Sequence, residues 1–453
     1  MRHNRIPARR KEKARELAQP EQAKQSMTPV TKPQPQPQPS VKPSAPTPAP
    51  AVLPTSPAAA TPPPTPPAPK SPSLLDMVAK GNLPEWWIDN PPLVVFSGAR
   101  WVATGGGQRP VQLARQWAEG GRQVLFISDR SQQFGIHEGV ICGNFADHLP
   151  LWLPLLSRCQ GGTMFCGMPA YHSHLGGRMN HWRMVLDICD DWEEFVRIGA
   201  LERDNWEPEA VANAFAHADL VTYSASCLET FCKRYGARRT LLVPNGGPEA
   251  PVARQTLKDM ALGNGLNVAF CSALWGRWVD WETLRQMARD LADADPEAVV
   301  HVIGGMDNAG NPPERPLEPN MRCYGERIWS VALQMMANCD VAVIPFRNRT
   351  LCKAVDPNKW YDYIAAGLPV VATDVMEELR GRPYTLVCKP EDMAQAVLLS
   401  AQQGRIPEAE IKRIAGETSW RVRADAIMRG LAAVPNTRLV RRAWRDVPRE
   451  AAS

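Results

Sequence analysis

Lys359 and Asp362 stand three residues apart in the run Asp356-Pro357-Asn358-Lys359-Trp360-Tyr361-Asp362-Tyr363-Ile364-Ala365-Ala366-Gly367, a spacing that sets them on adjoining faces of a helix. An ammonium in that place can meet a diphosphate as a point charge, and a carboxylate can accept hydrogen bonds from a ribose diol. Asp356 is a good N-cap, Pro357 suits the first helical position, and Gly367 followed by Pro369 stops the helix before a β-branched run. The unpaired amides after Asp356, Asn358 included, add partial positive charge at the helix start. A nucleoside diphosphate fits this arrangement. The same two residues would equally suit a surface ion pair at i, i+3 on an ordinary helix, and the run by itself leaves both readings open.

Such a helix start does chemistry only if the fold points it into a cleft. From Leu93 onward, short runs rich in valine and isoleucine alternate with amphipathic stretches, the pattern of a parallel sheet covered by helices. Strands are expected at Leu93 to Ser97, Val124 to Ser128, Thr163 to Gly167, Met184 to Ile188, Leu220 to Tyr223 and Leu241 to Pro244. A second series follows the turn-forming cluster Pro244-Asn245-Gly246-Gly247-Pro248: Asn267 to Cys271, Ala298 to Ile303, Met321 to Tyr324, Val341 to Pro345 and Val370 to Thr373. The fold class is therefore α/β with two doubly wound halves. The divisions expected are a basic, Pro-rich extension at 1–72, a first domain at 73–247, a second at 248–403, and a C-terminal helix with a basic tail at 404–453. The helical stretch Glu408 to Leu431 is expected to pack back across the domains. The helix after Asp356 follows the strand ending near Pro345, so its start faces the carboxyl ends of the strands, where α/β sheets hold phosphates.

Other candidates for that cleft come from the first half. The loop Thr104-Gly105-Gly106-Gly107-Gln108-Arg109-Pro110 follows the first strand, and glycines there let a backbone approach a ligand closely; a plain tight turn would use them too. Asp190 and Asp191 end a strand and could contact an acceptor or act as general base, or cap the helix that follows. Tyr171, His172 and His174 form a polar cluster after another strand, with His172 a candidate for chemistry near neutral pH or else part of a surface loop. Trp275, Trp278 and Trp281 read first as packing residues. A nicotinamide-type oxidoreductase is a rival, since Asp129 ends the second strand at a distance suited to a ribose. Against it, Pro110 stands where the third glycine of G-x-G-x-x-G belongs.

The donor run resembles the signature of bacterial glycosyltransferases with two Rossmann-like domains, the GT-B fold, among them group 1 enzymes of the teichuronic-acid, cell-surface polysaccharide type. The resemblance spans about residues 92 to 400. It extends through Asp187 to Trp192, Ala218 to Ser224, Leu242 to Gly247, Val302 to Gly305 and Cys339 to Phe346. It implies transfer from a nucleoside-diphosphate sugar, the co-substrate, to a hydroxyl of a glycan, lipid-linked or other cell-surface acceptor. No further cofactor and no essential metal are implied. By the same resemblance Asp362 binds the donor ribose, Lys359 and the amides after Asp356 hold the diphosphate, and Tyr324 to Arg327 lie beside the nucleobase. Arg277 is then a second cation for the phosphates. Many relatives carry two glutamates eight positions apart across this helix; here the second is Asp362 and the first falls on Ala354. That loss keeps a non-catalytic nucleotide-sugar or glycan-binding scaffold in view. An epimerase acting on a hexosamine nucleotide is a smaller rival.

Composition narrows the setting. The net charge of +5 resides largely in the first 25 residues, where eight lysines and arginines face three glutamates, so the folded part shows no nucleic-acid footprint. Residues 1–72 hold 20 of the 44 prolines and read as a disordered extension, either a tether or a solubilising tail. The eleven cysteines are scattered without a C-x-x-C pair. Cys189, Cys227, Cys271 and Cys339 read as small buried hydrophobes in a reducing compartment. No run approaches the roughly 18 to 20 apolar residues of a membrane span, and no signal-peptide core is evident. The expected location is cytoplasmic, with room for peripheral contact at the inner face of a membrane through a lipid-linked acceptor.

Overall fold

A computed structural model of the chain describes residues 73–436, apart from 83, 100, 102–106, 131–133, 200, 202–205, 275 and 307–317. The extension at 1–72 and the tail beyond 436 lie outside the described residues. Among the described residues the chain forms two sheets. The first contains β1 (Leu93–Ser97), β2 (Val124–Ser128), β3 (Gly135–His137), β4 (Val140–Asn144), β5 (Thr163–Cys166), β6 (Arg183–Ile188), β7 (Leu220–Tyr223) and β8 (Thr240–Leu242). The second contains β9 (Asn267–Cys271), β10 (Val299–Ile303), β11 (Met321–Cys323), β12 (Val341–Ile344), β13 (Val370–Thr373) and β14 (Thr385–Cys388).

The first sheet runs β3-β4-β2-β1-β5-β6-β7-β8 and the second β11-β10-β9-β12-β13-β14. Every pairing is parallel except that of β3 with β4. Strands β1, β2, β10 and β12 are buried along their whole length, as parallel strands covered by helices on both faces must be. That two-sided burial is why their apolar runs are unbroken and easily read. Strands β3, β4 and β14 were not expected. Glycines at 135, 139 and 143 break the pattern of the first two, and Thr385–Cys388 is a short, half-buried edge.

In each half the order of strands reverses beside the first strand, β1 and β9, which opens a crevice at the carboxyl ends. Two core clusters line the faces of each sheet. The C-terminal stretch departs from a single helix. It forms Glu408–Thr418 and Trp420–Ala432 with a break at Ser419. The break arises because the backbone of Ser419 bridges to Gly247, at the first crossing between the halves. The second of these helices inserts Trp420, Ala424, Ile427 and Leu431 into the core of the first half, so the chain ends its fold on the domain where it began.

Gly246 and Gly247 are required by this double crossing. A Cβ on Gly246 would sit 2.9 Å from the Thr418 carbonyl oxygen and the Trp420 amide nitrogen, and one on Gly247 would sit 2.9 Å from Cβ of Tyr361. Cysteine placement corrects one expectation. Cys339 is buried and Cys189 and Cys271 are partly so, but Cys227 is exposed, because it lies in the turn that starts the helix Leu228–Arg234. All eleven cysteines are free thiols.

Candidate functional site

The helix Asn358–Ala365 starts at the carboxyl end of the second sheet, one residue later than an Asp356 cap would give. Pro357 occupies the cap position and no side chain satisfies the first amides. Asp356 does something else. Its carboxylate is buried and takes hydrogen bonds from Arg382 Nη2 at 2.7 Å, the Asn245 amide at 2.5 Å and Tyr361 Oη at 3.0 Å. With three donors around it, this side chain braces the loop before the helix and does not cap it, while the Trp360 amide turns back to the Pro357 carbonyl. Asn358 donates from Nδ2 to the Gly107 carbonyl at 2.8 Å, while its Oδ1 is buried without a partner.

Lys359 and Asp362 do not make the surface ion pair that their spacing allows. The Lys359 ammonium lies 4.5 Å from the centre of the Phe346 ring. Asp362 accepts from the Trp329 indole N–H at 3.3 and 3.4 Å. Burial lowers the Lys359 pKa to about 8, with Cys271, Cys352, Asp362 and Asp190 opposing it. Burial raises Asp362 to about 7, against the pull of Trp329 and Lys359. Two oppositely charged groups are thus both pushed toward neutrality in a recess. Perturbation of that kind marks sites built to receive charge.

The facing wall comes from the first half. Asp190, just past β6, acts electrostatically on Lys359 across the cleft. Its own pKa is raised to about 7, by burial first and then by Asp187 and Asp191, while the Cys189 thiol and Arg109 oppose the shift. Asp191 takes the capping role, accepting from the Glu194 amide at 3.0 Å at the start of Trp192–Arg197. Of the glycine loop, Gly105 and Gly106 lie outside the described residues. Gly107 is held against the donor helix by Asn358, and a Cβ there would come 2.6 Å from Trp329. Tyr171 reaches across the end of β1 to donate to Asp129 at 2.9 Å, and Phe145 and His174 pack beside it. His172 turns the other way. Its ring lies tilted against that of His217 at 4.7 Å and lines a recess between Ala170–Ser173 and Pro208–His217 that none of Asp190, Lys359 and Asp362 shares.

The remaining candidates lie around the rim. Arg277 is exposed and donates to the Ile198 carbonyl of the first half at 2.6 Å. Tyr324 hydrogen-bonds its hydroxyl to His301 Nδ1 at 2.8 Å, and Arg327 donates to the neighbouring Glu326 carbonyl. Ala354 is buried against the core of the first half. Trp278 packs on Phe195 of the first half at 6.0 Å, and Trp281 lies edge-on to Phe270; Trp275 is outside the described residues. Trp329 went unnoticed in the sequence. Its signal was available, since it opens the helix after the loop Tyr324 to Arg327, but one tryptophan among fifteen carries no pattern.

Residues 265–402 match the family model described as glycosyl transferases group 1. No curated protein matches the chain. Among solved structures, one titled as trehalose-6-phosphate from E. coli bound with UDP-2-fluoro glucose is similar at 11% identity. The match covers 76% of this chain and 99% of that one, with a TM-score of 0.51. A trehalose-6-phosphate synthase matches at 10% identity, over 76% and 100% of the two chains, with a TM-score of 0.51. The sucrose-phosphate synthase of Thermosynechococcus elongatus matches at 15% identity, over 80% and 100%, with a TM-score of 0.48. Residues 265–402, which include the helix Asn358–Ala365, are thus similar to the group 1 glycosyltransferase model, and the chain shares the GT-B fold of two α/β halves with these solved structures.

Proposed function

We propose that the chain transfers a hexosyl-type sugar from a nucleoside-diphosphate sugar to a hydroxyl of a glycan or lipid-linked acceptor, as in cell-surface polysaccharide synthesis. The observation that carries this reading is the meeting of the uncapped start of Asn358–Ala365, Lys359 and Asp362 with Asp190 from the other half. The donor's diphosphate would lie on the free amides and on Lys359, with its ribose on Asp362. A dianion placed there restores the full charge of Lys359 and stabilises the negative charge that develops on the leaving group. Asp190, held near pH 7 by burial, is suited to take the acceptor's proton. Arg277 joins the phosphates if it gives up Ile198, and Tyr324 and Arg327 border the base.

The expected working place is the cytoplasmic side of a membrane, with the acceptor reaching the first half. No helix among the described residues is long and apolar enough to cross a membrane. One observation favours a second reading. Ala354 is buried at the position where the resemblance implies a glutamate, and a chain without that contact could bind donor and not transfer it. A panel of UDP- and GDP-sugars separates the two. Release of nucleoside diphosphate with an acceptor present supports transfer, and binding without release supports the scaffold.

A further inference from the structure

Both crossings between the halves lie beside one buried residue, Asn245. The chain leaves the first half at Asn245 to Gly247 and returns at Ser419. Gly247 donates its backbone N–H to the Thr418 carbonyl and accepts from the Trp420 amide of this return segment, and Arg423 donates to the Asn245 carbonyl at 2.9 Å. The Asn245 side chain then faces both ways. Its Oδ1 accepts from Arg109 Nη1 at 3.2 Å, and its Nδ2 donates to the Asp356 carbonyl at 2.7 Å.

Each of those partners belongs to a buried ion pair. Arg109, fully inside the first half, holds Asp187 through two bonds of 2.8 and 2.9 Å, and Thr222 adds a third at 2.6 Å. Asp356 holds Arg382 at 2.7 Å in the second half. Arg109 opens the helix that follows the glycine loop, and Asp187 lies three residues before Asp190. Asp356 lies two residues before the donor helix. An amide is the short side chain that both accepts and donates, so it can join a cation of one half to a carbonyl of the other without adding charge between two neutral pairs.

We propose that Asn245 is the positioning residue that fixes the register in which Asp190 faces Lys359 and Asp362. It touches no substrate. It acts through Arg109 on the first wall and through Asp356 on the second. The catalytic part of this statement rests on the transferase reading; the register itself does not. An aspartate at 245 would keep the Arg109 contact but set an acceptor against the Asp356 carbonyl, with a second carboxylate close by, so it should loosen one side only.

The test compares Asn245→Asp, and the milder Asn245→Ser, with the wild-type full chain. Three readouts are taken: UDP and GDP affinity by titration, kcat and donor KM, and small-angle scattering. Nucleotide affinity should stay within about twofold in Asn245→Ser, because Arg382 and Tyr361 still hold the Asp356 carboxylate that braces the helix start. The kcat should fall by about tenfold or more at unchanged donor KM, since small misplacements of reacting groups are costly. Scattering should show a wider spread of interdomain arrangements in both variants. Scattering identical to wild type overturns the proposal whatever the activity, and so does a kcat that falls only in step with nucleotide affinity and folded fraction. A wild type that turns over no donor would instead overturn the transferase reading and leave scattering to decide the register.

Discussion

Burial sets the protonation of Asp362, and through it what the donor helix can hold. Its carboxyl is raised to about 7, so it ionises fully only above neutral pH. The folded state then binds a proton that the unfolded chain has already lost between the ordinary carboxylate range and pH 7. This stabilises the fold at low pH, and the effect disappears as pH rises through 7. Asp362→Asn removes the cost of a buried charge. It should raise the melting temperature at pH 8, with the gain shrinking toward pH 5, while abolishing transfer; a lower melting temperature at pH 8 would contradict the burial argument. Lys359 shifts the other way, to about 8. If Asp190 works as base and Lys359 as cation, kcat/KM should rise through pH 7 and fall above pH 8, a narrow bell in free enzyme. Asp190→Asn should leave a shallower acidic limb, set by Asp362 alone. A limb of unchanged steepness would assign the base role to another group.

The donor helix shows how much an element discloses and where it stops. Its length, its Gly367 stop and the strand on either side were legible because local rules agree there: a proline near the start, a glycine at the end, β-branched residues after it. The role of Asp356 was not, because capping and bracing use the same residue type. Only the approach of Asn245, Arg382 and Tyr361, all distant in sequence or around the helix, decides between them. The roles of Trp329 and of Asn245, which the sequence shows only as part of a turn, are hidden for a related reason: their partners lie 33 and 111 residues away. The close crossing at Gly246 and Gly247 makes its own prediction. Gly247→Ala must push against Tyr361, so it should cost about 1–3 kcal/mol in urea unfolding with the donor residues untouched. A neutral result would mean that the crossing has room.

At the scale of the molecule, two sheets facing each other across a cleft were readable from alternating apolar runs, since parallel strands buried on both faces leave long unbroken signatures. The return of the C-terminal helix was anticipated but not its break, which depends on Gly247 meeting Ser419. Because Trp420, Ala424, Ile427 and Leu431 fill the core of the first half, ending the chain after Thr418 should expose that core and speed hydrogen exchange in β1, β2 and β7 more than in β9 to β13. Equal acceleration in both halves would mean that the helix steadies the second half as well. The central claim concerns the cleft itself, that a nucleoside-diphosphate sugar sits on the start of Asn358–Ala365 with Lys359 on its phosphates. The most direct measurement is release of nucleoside diphosphate from a panel of donors by wild type and by Lys359→Ala, with folding checked by circular dichroism. The account predicts release from at least one donor and a loss of about a hundredfold or more in the variant; equal turnover by the two folded proteins would contradict it.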